Sequence, residues 1–265
     1  MTTAFIAGVG LRGPGLAGWV QGAAILRGDV MRAETPTDVP MTTLLAPNER
    51  RRAGLVTRLA LAVAEEAMTA AGLPLNAARG VFGSANGDAP VVLNLLEALA
   101  ETGRPLSPTQ FHNSVHNAVA GYWSIAAGSG QPITCLGGYD ATFGMALLKA
   151  ACEVAAERVP VLLCLYDAPL PWPLAAPADP AVNFAAAFVL LPERPAQCLG
   201  AITLGYAAEA AGFADAAPRD AGLAAMARAN AAALSLRLLE ALANGQPDHF
   251  ALPMLDGRVT VAVTP

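Results

Sequence analysis

Apolar positions along this chain alternate between two periods, and the alternation predicts strands separated by amphipathic helices. Residues 3–9 form a near-continuous apolar run that ends in glycines, the pattern of a strand buried on both faces. A glycine turn and a helix over 16–27 are expected next, then a Pro- and Thr-rich loop over 29–47. From 49 to 71 the residues Leu55, Leu59, Val63 and Ala67 recur at four-residue steps, and Gly72 supplies a stop, so one long helix is expected. The pattern then gives a strand over 78–83, helices over 91–101 and 117–127, a strand over 132–136, a helix over 141–158 and a strand over 159–166. Strands and helices in that order make an α/β sheet covered by helices on both faces. A second, shorter unit begins near 181, with strands over 181–191 and 198–206, one long helix over 220–244 and a terminal hairpin over 249–265. The organisation expected is a single domain over 1–265, built from two unequal halves of about 1–180 and 181–265.

Composition changes this picture in one respect. Hydrophobic residues make up 54% of the 265 and charged ones only 14%, so a large core is expected together with surface that a partner covers, although alanine inflates the first figure. No apolar run approaches the ~18 residues of a membrane span; the greasiest stretch, 159–172, is interrupted by Asp167, Pro160, Pro169 and Pro171. The N-terminal MTTAFIAGVG lacks a basic region and a cleavage site, and a cytoplasmic location is expected. Cys135, Cys152, Cys164 and Cys198 stand in apolar surroundings without C-x-x-C spacing, which argues for reduced thiols and against zinc. A net charge of −5 gives no electrostatic case for nucleic acid.

The chemistry concentrates in the stretch SPTQFHNSVHNAVAGYWSIAAGSGQPITCLGGYDATFGMALLKAA, residues 107–151. Asn113, Ser114, Asn117, Ala120 and Gly121 fit an N-S-x-x-N-x-x-A-G segment, which is followed by an apolar strand and a helix of small residues. In this order the segment resembles the core of the β-ketoacyl synthases of the thiolase-like superfamily. The family ends that strand at a cysteine opening a buried helix, and alignment of the strand and helix places Tyr139 at the cysteine's position. A thiol at a helix N-terminus ionises readily and its thioester finds backbone N–H donors. A phenol ionises near ~10 and is bulkier, so it neither accepts an acyl group nor leaves the pocket open. The resemblance also implies two further catalytic residues, commonly histidines, in the second half. This chain has only His112, His116 and His249, none in such a motif.

The resemblance therefore implies a layered αβαβα thiolase-like fold with a complete first half and a shortened second half. It implies a catalytically inert subunit similar to the chain-length factors of type II polyketide and aryl polyene systems. Such a subunit pairs with an active ketosynthase, shapes the tunnel in which the acyl chain grows on acyl carrier protein, and needs no cofactor. Phe111, Ser114, His116, Tyr122, Tyr139 and Phe143 are the residues expected at the tunnel or interface, with none catalytic. Trp123 shares the helix of Tyr122.

Two alternatives follow from other residues. Cys135, four residues before Tyr139, offers a relocated nucleophile, although a buried small side chain is the simpler account. Gly8-Val9-Gly10-Leu11-Arg12-Gly13 matches the G-x-G-x-x-G turn of an NAD(P)-binding oxidoreductase, but Pro14 follows and no second strand ending in an acidic residue does. Arg50, Arg51, Arg52 and Arg58 read as a solvated helical face or as a contact for an acidic carrier protein. Ser84 and Ser129 read as turn residues.

Overall fold

The computed structural model describes residues 1–101, 103–175, 182–208 and 212–265. In chain order it has β1 (Thr2–Gly13), β2 (Leu16–Ala17), α1 (Trp19–Leu26), α2 (Pro47–Arg52), α3 (Leu55–Ala70), β3 (Arg79–Gly83), α4 (Ala89–Ala100), α5 (Pro108–Ser114), α6 (Ala118–Ala127), β4 (Ile133–Leu136), a 3₁₀ turn (Tyr139–Ala141), α7 (Thr142–Glu157) and β5 (Val161–Asp167). The remainder is β6 (Phe184–Leu191), β7 (Gly200–Ala207), β8 (Ala214–Asp215), α8 (Ala221–Ala229), a second 3₁₀ helix (Ala231–Ser235), α9 (Leu236–Asn244), β9 (Asp248–Pro253) and β10 (Arg258–Thr264). The expected boundary at 180/181 lies outside the described residues.

The strands join in the order β4-β3-β5-β6-β1-β7-β10-β9-β8, with β2 folded back on β1. Strands β3, β4 and β5 run parallel, and β6, from the second unit, is inserted antiparallel between β5 and β1 of the first, with β7 antiparallel on the other side of β1. Strand β1 is the spine. It pairs with β6 through Phe5–Arg12 and with β7 through Thr2–Ile6, and the β6 ladder shifts register between Ile6 and Gly8. That bulge at Ala7 reverses the alternation, so Ala4, Ile6, Val9 and Leu11 all enter the same core.

The opposite face of β1 is built for close approach. A Cβ on Gly10 would lie 2.0 Å from the Val63 carbonyl oxygen, and one on Gly8 2.2 Å from that of Ala67. The two glycines let the backbone of α3 rest directly on the sheet. This replaces the dinucleotide-turn expectation: Gly8, Gly10 and Gly13 all lie within β1, and the turn that follows, Pro14-Gly15, leads into β2. The α1 helix accordingly starts at Trp19, three residues later than its apolar pattern suggests.

Helices cover both faces, as expected. Helix α3 packs on β1, β5 and β6, and α6 shares its core through Val119, Tyr122 and Trp123. On the other face α7 contacts β1, β3, β5 and β6, and it also meets β9 and β10, where Gly144 lies under the Pro253 carbonyl. The sheet thus curls round α7, giving helix, strand, helix and strand layers. Beyond them Thr203, Thr260 and Ala262 stay half exposed and His249 is exposed, so among the described residues this outer face has no helical cover.

Two expected long helices are broken. The helix expected over 49–71 divides at Ala53-Gly54, where Asp88 presses so close that a Cβ on Gly54 would meet its carboxylate at 2.7 Å. The helix expected over 220–244 breaks at Asn230. Its backbone turns extended (φ −151°, ψ 122°), its side-chain Oδ1 accepts from the Ala232 and Ala233 N–H groups, and its side-chain Nδ2 donates to the Asp167 and Val182 backbone carbonyls.

The C-terminal ends of the parallel strands are tied by a buried polar knot. Asp167 accepts from Ser84 Oγ at 2.7 Å and from the N–H groups of Asn86 and Ala85 at 2.9 and 3.2 Å. Ser84 Oγ in turn accepts from Gly87 N–H, and the Ser84 carbonyl accepts from His116 Nε2 at 3.0 Å. Burial pushes the Asp167 carboxyl above its ordinary value near 3.8, while these hydrogen bonds and the nearby His116 pull it back.

Two outcomes are expected of the isolated chain. Gly10→Ala should cost about 3 kcal/mol in urea unfolding, because only backbone could yield, whereas Gly121→Ala on the open face of α6 should stabilise by up to about 1 kcal/mol. Because the folded Asp167 binds its proton more tightly than the unfolded chain does, its contribution favours folding as pH falls through the folded pKa towards 3.8. Stability should therefore decline with rising pH in that window, and Asp167→Asn should flatten the decline; equal slopes in the two proteins would refute this.

Candidate functional site

Open α/β sheets place their sites beyond the carboxyl ends of parallel strands, and here those ends carry the residues singled out by sequence. Strand β4 runs into Gly137 and Gly138, and the chain turns through Tyr139–Ala141 into α7. Gly137 meets backbone where a side chain would begin, whereas Gly138 meets only the flexible end of a methionine. A Cβ on Gly137 would lie 2.6 Å from the Ser84 carbonyl oxygen and 3.1 Å from His116 Nε2, and one on Gly138 2.6 Å from Met145 Sδ. The Asp167 knot thus sets the floor on which the turn rests.

The turn is closed by its own side chain. Thr142, wholly buried, accepts from Gly138 N–H at 2.9 Å and donates to the Tyr139 carbonyl at 2.6 Å. Tyr139 itself adopts a left-handed backbone (φ 50°) and is 83% exposed. No thiol stands on this turn. Cys135, inside β4, packs against the core beneath α3, and burial pushes its thiol pKa up, away from the thiolate that nucleophilic attack needs. Cys164 is wholly buried and shifted in the same direction. Cys152 is exposed on α7, contrary to the apolar setting expected for it. Among the described residues no three His, Cys, Asp or Glu side chains gather as a metal site requires, and no helix is long and apolar enough to cross a membrane.

The other residues singled out fall into two groups. Phe111 on α5 is 63% exposed, and Ser114 Oγ donates to its carbonyl at 2.8 Å. His116 is exposed at the start of α6, fixed by its bond to Ser84. In contrast Tyr122 and Phe143 are buried in the chain's own cores, Tyr122 with its hydroxyl donating to Asn113 Oδ1 at 3.2 Å and its ring edge-on to His112. Asn113 also donates to the Arg52 carbonyl at 3.0 Å, which fastens α2 and its three arginines to α5. Helix α2 buries none of its residues.

Sequence reasoning missed α5 and the Asp167 knot. The signal for α5 was present: Ser107 caps the Gln110 N–H, and Pro108 occupies the first turn. The knot had none, because an aspartate at the end of an apolar strand does not reveal which distant donors it meets.

Strand β4 is the edge of the sheet, and its four residues are all half buried. The helices between β3 and β4 in the chain expose Leu96 and Leu99 of α4, Phe111 of α5 and Ile125 of α6, with Val115 between the last two. Unpaired strand edges and exposed apolar side chains are the features that interfaces bury.

No curated protein matches this chain. Solved structures do. A chain of the ketosynthase (ApeO) in complex with its chain length factor (ApeC) from Xenorhabdus doucetiae superposes with a TM-score of 0.72 at 18% identity, covering 100% of both chains. The ishigamide ketosynthase/chain length factor gives 0.69 at 19% identity, covering 99% of each. A type II polyketide synthase complex, AntDE:AntF, in which an acyl-carrier protein is bound to its ketosynthase, gives 0.72 at 13% identity, covering 100% of this chain and 99% of that one. At these identities the likeness establishes the fold, a mixed α/β arrangement of thiolase-like ketosynthase type. The family model described as "Beta-ketoacyl synthase, N-terminal domain" matches residues 27–247, most of the chain, and the protein belongs to that family.

Proposed function

We propose that this chain is a non-catalytic, chain-length-factor subunit that pairs with an active β-ketoacyl synthase and helps bound the acyl tunnel in polyketide, aryl polyene or fatty-acid-like assembly. One observation carries the reading. At the strand-to-helix turn to which the family resemblance assigns the cysteine stands a phenol, on a turn whose Gly138 N–H and Tyr139 carbonyl are held by Thr142. The raised pKa of Cys135 speaks against a relocated nucleophile.

The half-buried edge strand and its apolar surroundings support pairing, since a second sheet edge of similar twist would satisfy the unpaired backbone of β4. That two of the solved structures similar to this chain are ketosynthase and chain-length-factor complexes supports the same partner. Phe111, Tyr139 and His116 are the exposed residues assigned to that face, whereas the burial of Tyr122 and Phe143 leaves them supporting roles. Arg50, Arg51 and Arg52 supply a positive face for an acidic acyl carrier protein.

Two tests separate this reading from an active enzyme. Incubated with acyl carrier thioester, the isolated chain should show no mass gain; a hydroxylamine-labile acyl adduct on Cys135 would restore the condensing-enzyme reading. Coexpressed with its cognate ketosynthase, the chain should elute as a 1:1 pair through an interface of about 2,000 Å² or more, and alone it should self-associate. In that pair Phe111→Leu should shift product length with little change in condensation rate. An unaltered product distribution would leave the tunnel bounded by the ketosynthase alone.

A further inference from the structure

Among the described residues two that are not glycine hold a left-handed backbone, Tyr139 at φ 50° and Arg158 at φ 55°. Arg158 is the C-cap of α7 and donates its N–H to the Val154 carbonyl, an ordinary way to end a helix. Tyr139 stands before the same helix, where termination requires nothing of the kind. For a bulky L-residue the conformation crowds Cβ against the following carbonyl, and it persists only when surrounding contacts impose it.

Those contacts are specific. Thr142 bonds to both sides of the turn, to Gly138 N–H and to the Tyr139 carbonyl, and its burial fixes the hydroxyl beneath them. Gly137 lies against the Ser84 backbone carbonyl without room for a side chain. The strained backbone is thus held from below by Thr142 and on its strand side by the Ser84 carbonyl. Yet the ring it carries is 83% exposed and no described side chain makes a hydrogen bond to its hydroxyl. In the isolated chain this strain exposes an aromatic ring to water, which favours neither folding nor solubility.

We propose that Tyr139 is a preorganised anchor for the partner subunit, and that Thr142 is a positioning residue that aims it. The inference rests on the pairing reading above. Its occupant is a ketosynthase-fold subunit, because the turn begins two residues after edge strand β4 and any chain that pairs with that edge passes beside it. A tyrosine held rigid before binding loses little conformational freedom on association, which is the property of interface anchors.

The test reads folding and pairing separately, by thermal unfolding of the isolated chain and by Kd against the coexpressed ketosynthase. Tyr139→Gly should raise Tm by about 2–4 °C, because glycine relieves the left-handed strain, while weakening pairing about 10- to 100-fold. Tyr139→Phe should pair within about threefold of wild type, since the ring makes the contact. Thr142→Val should weaken pairing although the ring remains, and Thr142→Ser should restore it. A wild-type chain that binds no ketosynthase overturns the pairing reading and the anchor with it. A wild-type chain that binds, beside a Tyr139→Gly variant that binds as tightly, overturns the anchor alone. A fall in Tm for Tyr139→Gly overturns the strain argument; should Thr142→Val fail to fold, the Tyr139 variants still decide.

Discussion

The buried carboxylate of Asp167 is the constraint on which the rest of the site depends. A charged group taken out of water demands donors, and the three it has come from the end of β3 and the residues after it. The Ser84 it holds presents its carbonyl to His116, and so fixes where α6 begins. Its own backbone carbonyl accepts from Asn230, so the second half is tied to the same point as the first. Gly137 then lies on the Ser84 carbonyl, and the turn at Tyr139 follows from that contact. One ionisable group thereby fixes two strand ends, a helix start and the break between α8 and the 3₁₀ helix.

The parts of this fold legible in the sequence are those in which neighbouring residues decide. Apolar runs gave β1, β5 and β6, four-residue spacing gave α3, and the segment from Asn113 to Gly121 with its following strand and helix carried the family resemblance. What escaped depends on residues far apart in the chain. Asn230 reads as an ordinary polar position on a helix until the Asp167 and Val182 carbonyls come within its reach. Gly54 breaks a helix because Asp88 occupies the space of its side chain. The spacing of Gly8, Gly10 and Gly13 fits a turn, while Gly8 and Gly10 are constrained by the Ala67 and Val63 carbonyls of α3 and Gly13 by the Phe184 ring. Exposure escaped as well: Phe111 and Phe143 look alike in sequence, but one faces water on α5 and the other lies in the core on α7.

On the proposed reading, the turn at Tyr139 has physical work that does not involve bond making. It is a sharp strand-to-helix passage at the sheet edge, supported by a glycine without room for a side chain, a threonine clamp and a buried carboxylate beneath them. Carrying an exposed phenol, that support positions a contact surface in the proposal made above. The sheet reaches α7 from its far side through β9 and β10, and a helical layer on the outer face of those strands is not required to position the turn. Among the described residues, the elements packed together are those that bear on the Tyr139 turn, while the outer face of β9 and β10, which lies away from it, has no helical cover.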